Sequence, residues 1–444
     1  MKNSSALAAT GLVSVLMLGS APAAFAQHEG HAVTRPGGAI APGDLARDPA
    51  DELMRRTSLM GSGTSLQPAS SPMWMWQQMT GPWLLRTHGN AVLAWNQGTR
   101  PRGTGEPSLA NWAMMMGSRI LGPGILDLTA MGSLEPATMP PGGTPQLFQT
   151  GETYGGRPLI DRQHPHDLFM ELSARYTLPL NGRAAAFFYG APVGEPALGP
   201  VAFMHRPSAA DNGLAPLGHH LQDSTHITMG VLSAGLQWEH WQVEGSLFRG
   251  REPDENRWNL DLGPLDSCSG RLSYAPGPNW ALQISSGRLS NPEALEAGDL
   301  RRTTASIQHN LPLSRGNWAT AMIWGQNTKF GLSPAPITNG LLLESTLDLD
   351  RNHLYGRFEA VDKTGLLANL PGGEADERIV RPIQALTLGI IHDLKLQPLV
   401  VGIGADATLY AQPGDLVALY GSNPMALRIF LRMRPPLMAH RSSP

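Results

Sequence analysis

The stretch that decides the fold is WLLRTHGNAVLAWN, residues 83–96. From Leu85 to Trp95 every second side chain is apolar or small, whereas Arg86 and His88 fall on the opposite phase. Successive side chains of a β-strand point to opposite faces. The spacing therefore predicts a strand with one face in lipid and the other in water.

Segments with the same alternation follow to about residue 433. They meet in pairs across tight turns such as Glu239-His240, and longer stretches rich in Gly, Pro and Asp separate the pairs. These stretches are centred near residues 102, 150, 207, 258, 295, 333, 371 and 417. Tight turns at one rim and long loops at the other are typical of bacterial outer-membrane barrels. We therefore predict an all-β fold, a transmembrane antiparallel β-barrel of about 16 strands with short periplasmic turns and long extracellular loops.

The aromatic residues agree with a barrel. Tryptophan is enriched where a membrane protein meets the lipid–water interface. Eight of the 11 tryptophans lie near predicted strand ends, and we expect them in such a girdle: Trp83, Trp95, Trp112, Trp238, Trp241, Trp280, Trp318 and Trp324.

The start of the chain predicts export. Lys2 is followed by an apolar stretch over residues 6–18 and by the small-residue box Ala24-Phe25-Ala26, which is the pattern of a cleaved signal peptide over residues 1–26. Residues 27–80 lack a clear alternation of apolar and polar side chains, so we predict that they form a periplasmic or plug-like extension. The barrel then spans residues 81–434, and residues 435–444 form a tail.

Composition narrows the class further. Hydrophobic residues make up 41% of the 444 residues and the formal net charge is −3, so nothing indicates a nucleic-acid partner. The single cysteine, Cys268, excludes an internal disulfide framework and a cysteine-rich metal site. A barrel reconciles a membrane destination with this composition, because only alternate residues face lipid.

Charged and polar residues on the wet phases of the strands predict the lumen lining. Mixed charges along a pore set its electrostatic barrier. The alternative is a lattice of salt bridges that fills the lumen, although a barrel this wide exceeds what strand side chains alone can fill. The predicted lining residues are Arg86, His88, Glu171, Arg175, Glu244, Arg357, Glu359, Arg428 and Arg432.

Two long loops on the extracellular side carry a histidine-rich set. Imidazole with carboxylate suits copper, zinc and similar ions, so no cofactor is required but a divalent metal is a candidate. The alternative is a structural one, in which these side chains satisfy the backbone of a loop folded into the lumen at its constriction. The candidate ligands, which we expect to converge, are His164, His166, Asp167, His205, His219, His220, Asp223 and His226.

Sulfur-containing residues form further clusters. Met73, Met75 and Met79 interleave with tryptophans, and thioethers favour Cu(I). Gap filling in a plug segment is the alternative that we favour for them. Met114-Met115-Met116 lies inside a predicted strand, where packing explains the three methionines better than metal binding does. Near the predicted mature N-terminus, His28 and His31 form one more metal candidate.

An enzyme is the competing class. Asp223, Ser224 and His226 are the residue types of a barrel hydrolase, but they crowd one strand start and no nucleophile-elbow motif is present. We therefore expect a protein that is not an enzyme.

Several peptides resemble a family of bacterial proteins described as hypothetical or putative outer-membrane β-barrels, some of them encoded beside metal-efflux genes. They include Phe148-Gln149-Thr150-Gly151-Glu152, residues 161–167, residues 195–207 and residues 249–254. The resemblance implies an outer-membrane location and a barrel fold, and it brings no catalytic residues.

Together these features predict a porin-like channel for small solutes in the cell outer membrane. The alternative is an outer-membrane protein that handles copper or another divalent metal. The expected partners are outer-membrane lipid, small solutes or metal ions, and the machinery that assembles barrels. Whether the barrel is a homo-oligomer stays open.

Overall fold

The computed structural model describes residues 58–295, 298–330, 336–371 and 379–438. The predicted signal peptide, His28 and His31, and the last residues of the tail lie outside these ranges. No helix within them combines the length and the apolar character needed to cross a membrane.

The described residues form 21 strands, which we number in chain order. They are β1 (Met75–Thr80), β2 (Trp83–Gly98), β3 (Gly105–Leu121), β4 (Gly124–Gly132), β5 (Thr144–Pro145), β6 (Glu152–Tyr154), β7 (Arg157–Leu159), β8 (Arg162–Gln163), β9 (Phe169–Asn181), β10 (Ala184–Val193), β11 (Val231–Trp238), β12 (Trp241–Phe248), β13 (Ser267–Gly277), β14 (Trp280–Leu289), β15 (Leu300–Leu313), β16 (Gly316–Lys329), β17 (Ile337–Leu349), β18 (Asn352–Lys363), β19 (Arg381–Leu396), β20 (Leu399–Ala411) and β21 (Met425–Arg434). Short helices α1 (Glu135–Thr138), α2 (His219–Gln222) and α3 (Val417–Tyr420) lie in the connections.

Seventeen of these strands form one antiparallel sheet that closes on itself. Strand β21 pairs with the second half of β2, from Met433 opposite Ala91 onward. Strand β1 pairs with the first half of β2, where Met75 lies opposite His88. β1 and β21 thus share one position in the wall, and the barrel has sixteen strands around its circumference, as predicted. The sheet begins at Met75 rather than near residue 81, because β1 covers the edge of β2 that β21 leaves open.

The two rims differ as predicted. Eight two-residue turns lie at one rim, among them Gly81-Pro82, Gly122-Pro123 and Glu239-His240, and eight longer connections lie at the other. Glu239 and Asp350 adopt positive φ in these turns, as tight hairpins with the right-handed twist require. The barrel starts at β2 and ends at β21 on the short-turn rim, which is the periplasmic rim in bacterial barrels.

Strand β12 shows how the wall is built. Trp241, Val243 and Leu247 are exposed on the outside, whereas Gln242 and Glu244 are buried inside. The same alternation around the barrel produces an apolar outer surface of the kind that a bilayer covers. Exposed tryptophans at positions 238, 241, 280 and 318 flank the short-turn rim.

The prediction that Trp112 belongs to the aromatic girdle is wrong. Strand β3 is 17 residues long, from Gly105 to Leu121. Trp112 therefore lies in the middle of the strand and lines an interior cavity, away from the lipid interface.

Two chain segments fill the barrel. Residues 194–230, which connect β10 and β11 and which we call the inward loop, cross the lumen. The amide of Ala197 donates to Ser246 Oγ at 2.7 Å and the Thr346 hydroxyl donates to Ser208 O at 2.9 Å, so this loop contacts walls far apart in the sheet. Residues 58–74, the N-terminal segment, lie beneath it, where the amide of Ala202 donates to Ser62 Oγ at 2.8 Å.

Candidate functional site

The inward loop is held by a fully buried arginine. Arg206 is 0% exposed. Its Nε donates to Glu344 Oε1 on β17 at 2.7 Å, and its Nη1 donates to Asp223 Oδ2 at 2.8 Å and to Val201 O at 2.7 Å. Burial alone would raise the pKa of Asp223, but the Arg206 guanidinium and the His219 ring hold it well below its usual range. A charge without water needs such partners.

A second anchor joins the same loop to the half of the wall nearer the short turns. Asp211 accepts from Arg432 and, at 3.1 Å, from Arg434 Nη1. His353 Nδ1 lies 3.1 Å from Asp211 Oδ2, and its Nε2 lies 2.9 Å from Asp393 Oδ2. Two guanidinium groups in contact with these carboxylates already neutralise them, so this cluster is an ion-pair network rather than a metal site.

The nine residues predicted to line the lumen all face the interior, and eight of them are buried among protein groups. Glu244 accepts from Arg271 Nε at 2.9 Å and from the Thr64 hydroxyl of the N-terminal segment at 2.5 Å. Arg357 donates to Leu214 O at 2.8 Å. These strand charges bind the filling segments. The other contacts are Arg86 to Ser118, Glu171 from Ser173 and Tyr189, Arg175 over the Phe187 ring, Glu359 from the Gly218 amide, Arg428 to Asp406 and Asn212, and Arg432 to Asp211 and Asp393.

Five of the six loop histidines come together, and we call them the histidine cluster: His164, His166, His219, His220 and His226. Their rings form a chain in which neighbouring centroids are 5.0–6.1 Å apart. The tight turn between β9 and β10 brings the end of one loop and the start of the next to adjacent strands, which allows this approach.

His205, the sixth, lies elsewhere. Its ring is 5.6 Å from that of His88 and 5.0 Å from that of Trp112. Two predicted carboxylate ligands are engaged by arginines instead: Asp167 accepts from Arg257 Nη1 at 3.2 Å, and Asp223 pairs with Arg206. The structure thus divides the predicted ligand set into separate groups.

Three glutamates that sequence reasoning missed complete the cluster. Glu152, His164 and His220 place one ligand atom each within 4.8 Å of one another, and His220, Glu252 and Glu293 do the same. The glutamates come from three different loops, so spacing along the chain cannot reveal them. Glu152 and Glu252 do occur in the peptides that carry the family resemblance.

The position of His220 is well defined. Arg302 Nη2 and Asn327 Nδ2 donate to its backbone carbonyl at 2.6 and 2.9 Å, which fixes α2 against β15 and β16. Within the described residues neither ring nitrogen makes a hydrogen bond, and Nδ1 lies 3.5 Å from Glu252 Oε1. Burial lowers the pKa of His220 to about 4. Its imidazole is therefore neutral at pH 7, the form that binds a metal.

Burial and neighbouring charges raise the pKa of two carboxyl groups beside His220. Burial and then the Glu152 charge raise the pKa of Glu252 to about 7. Burial and then Glu252 raise the pKa of Glu293 to about 8. Carboxyl groups this close to one another repel when both are ionised. A divalent cation bound to them and to the neutral imidazoles would offset that repulsion.

The hydrolase arrangement is not formed here. The Ser224 hydroxyl donates to Glu252 Oε1 at 3.2 Å and accepts from Arg302 Nη1 at 2.9 Å. His226 Nδ1 lies 2.8 Å from the backbone oxygen of Asp223. The serine therefore has a partner other than His226, and the Asp223 carboxylate does not orient the His226 ring.

The inward loop contributes walls to cavities on both of its sides. On the long-loop side, the outer cavity is lined by Glu152, His220, Glu293 and Lys329. A neighbouring cavity also contacts Glu252. The inner cavity lies between the loop and the N-terminal segment.

No family model and no curated protein matches the chain. Among solved structures, an anion-selective porin from Comamonas acidovorans has a TM-score of 0.49 and 9% identity, over 79% of this chain and 99% of the porin. OmpF of Salmonella typhi, in complex with daunomycin, has a TM-score of 0.49 and 8% identity, over 81% and 100%. The strand pairing of this chain itself defines its class, a closed sixteen-stranded antiparallel barrel.

Proposed function

We propose that the protein is an outer-membrane channel for small solutes whose lumen is constricted by the inward loop. The observation that carries this proposal is the loop itself, which crosses the barrel and is attached to its wall by buried ion pairs at Arg206 and Asp211. A sixteen-stranded wall encloses more space than its own side chains fill, and cavities lie on both sides of the loop.

The charges near the entrance favour cations. Six carboxyl groups line the two cavities on the long-loop side: those of Glu152, Glu252, Asp254, Glu255, Glu293 and Asp362. Lys329, Lys363 and Arg257 oppose them only in part. An entrance with excess negative charge raises the local concentration of cations and repels anions.

A divalent transition metal is the second candidate for what this entrance binds. The unpartnered ring nitrogens of His220, beside Glu152, Glu252 and Glu293, support it. Imidazole and carboxylate together suit zinc or Cu(II) better than calcium or magnesium. Binding here would hold the metal at the mouth of the constriction.

Planar-bilayer recordings of the purified protein test both ideas. We expect a small, cation-selective conductance that micromolar Zn(II) reduces. His220→Ala should keep the conductance and weaken the zinc effect by more than about 100-fold, since loss of a direct ligand should exceed the 10–100-fold cost of losing an outer-shell partner. His392→Ala, which removes a histidine beside the short-turn rim, is the matched control and should change neither property.

Different results would contradict the channel and the metal site. A wild-type protein that inserts into the bilayer without conducting contradicts the channel. A conductance that Zn(II) does not alter, together with no zinc binding in calorimetry, contradicts the metal at the entrance while leaving the channel standing.

A further inference from the structure

The inner cavity is lined by an unusual number of sulfur atoms. Six of its lining residues are methionines, contributed by the N-terminal segment, β1, β3 and the inward loop: Met60, Met73, Met75, Met114, Met116 and Met204. Two histidines, His88 and His205, line the same cavity. Thioether and imidazole together are the donor set that selects a soft ion such as Cu(I) over zinc, calcium or magnesium.

The strand register arranges part of this set in one row. Met75 on β1 lies opposite His88 on β2, and His88 lies opposite Met114 on β3. Side chains directly opposite one another on the same face are about 5 Å apart at Cβ. All three line the cavity, and His88 Nε2 lies 2.9 Å from Met114 Sδ.

The inward loop places two further residues, Met204 and His205, beside this row. It places the His205 ring 5.6 Å from the His88 ring, and Met204 packs against the hydrophobic cluster that contains Met114. Trp112, two residues before Met114 on the same face, contacts both rings edge-on or tilted, with centroids 4.9 and 5.0 Å away.

These two imidazoles are partly buried and make no hydrogen bond to an oxygen atom among the described residues. Within the described residues, no hydrogen bond engages the His205 ring, and the contact of the His88 ring is to sulfur rather than oxygen. The carboxylates at the cavity edge are engaged elsewhere: Glu171 accepts from Ser173 and Tyr189, Asp211 pairs with Arg434, and Asp348 pairs with His353. The ligand atoms that the cavity offers are therefore uncharged: imidazole nitrogen, thioether sulfur and the Asn90 amide oxygen, which has no hydrogen-bond partner among the described residues.

We propose that the inner cavity is a binding site for a soft monovalent metal ion, Cu(I) or Ag(I), with His88, His205 and Met114 as its central ligands. Bonds of about 2.0 Å to nitrogen and about 2.3 Å to sulfur put two ligand atoms of one ion about 3.5 Å apart. Met114 reaches that spacing by a small rotation, because its side chain has three rotatable bonds. This site is separate from the histidine cluster and stands whether or not the barrel conducts.

Cu(I) titration of the full mature chain in detergent, without oxygen and against a chromophoric Cu(I) chelator, tests the proposal. Met114→Leu keeps the shape of the side chain and removes its sulfur. Met115→Leu is the matched control, because Met115 is the next residue of β3 and is 58% exposed on the outer face. We expect Met114→Leu and His88→Ala each to lower Cu(I) affinity at least tenfold and Met115→Leu to leave it unchanged.

Copper-edge X-ray absorption identifies the ligands. The wild type should show sulfur and nitrogen neighbours, and Met114→Leu should lose sulfur. Any Cu(I) bound near the mature N-terminus is common to the wild type and the three variants and therefore does not affect the comparison. Equal affinities of Met114→Leu and Met115→Leu, in variants that retain the β-rich circular dichroism of the wild type, would overturn the proposal. A spectrum of oxygen and nitrogen ligands alone, or equal competition by Zn(II), would overturn it as well.

Discussion

Replacement of Arg206 by alanine is the most direct test of the inward loop as the constriction. The guanidinium joins Glu344 of the wall to Asp223 of the loop at 2.7 and 2.8 Å, with no solvent exposure. In Arg206→Ala, Glu344 and Asp223 stay buried near one another, and their negative charges lose the guanidinium that compensates them. Breaking a buried pair by removing one partner costs about 3–5 kcal/mol.

That cost acts on the position of the loop, because the wall itself is held by the strand pairing. At about 1.4 kcal/mol for each factor of ten, the fraction of barrels with a displaced loop should rise about 10²- to 10⁴-fold. Single-channel recordings should then show a larger conductance and longer open periods. Limited proteolysis should cut within residues 194–230 in Arg206→Ala and spare the wild type.

Arg183→Ala is the control for this experiment. Arg183 forms an exposed ion pair with Glu239 at 3.4 Å on the short-turn rim, and such pairs contribute at most about 1 kcal/mol. It should behave like the wild type in both assays. If Arg206→Ala has the conductance, the protease resistance and the thermal stability of Arg183→Ala, the inward loop is not held in the way that the contacts indicate.

Three further predictions concern the wall, the plug and the orientation. Ile403, 54% exposed in the middle of β20, should lie in lipid, so Ile403→Arg should lower the free energy of unfolding in lipid vesicles by about 2–4 kcal/mol; Leu262→Arg, on an exposed loop, should have little effect, and equal effects would contradict the apolar belt. Burial raises the pKa of Glu195 to about 8, above the free-carboxyl pKa of about 4.3, so the folded state prefers the protonated form and the seating of the inward loop should weaken as the pH rises from about 4.3 to 8 and then level off. Conductance of the wild type should increase more over that range than that of Glu195→Gln, in which Glu252 and Glu293 of the entrance still titrate, and identical pH profiles would refute this role. An epitope tag at Gly263 should bind antibody on intact cells and one at Gly277 should not, because they lie at opposite rims, and the reverse pattern would invert the orientation.

The wall could be read from the sequence because its signals are local. Each strand carries its own alternation of outward apolar and inward polar residues, as in β12, and each tight turn carries its own turn residues. The strand predicted over residues 83–96 is β2, which extends two residues further, to Gly98, since pairing with its neighbours continues past the last clearly alternating position.

The contents of the barrel could not be read in the same way. The sequence indicates that a long loop rich in histidine can enter the lumen, but not which wall residues receive it. Glu344, which binds Arg206, is 138 positions away along the chain. The histidines of the two loops were found by residue type, whereas Glu152, Glu252 and Glu293 joined them only through the folding of separate loops.

The sequence by itself determined that this protein is a sixteen-stranded barrel with short turns at one rim and long loops at the other, because a period of two along each strand records which face meets lipid. The tertiary structure alone decided that His205 leaves the other loop histidines and joins His88, and that Met75, His88 and Met114 stand in one row. Registers between strands and the path of a loop through the lumen depend on contacts between residues distant in the chain. Such contacts have no periodic signature in the sequence.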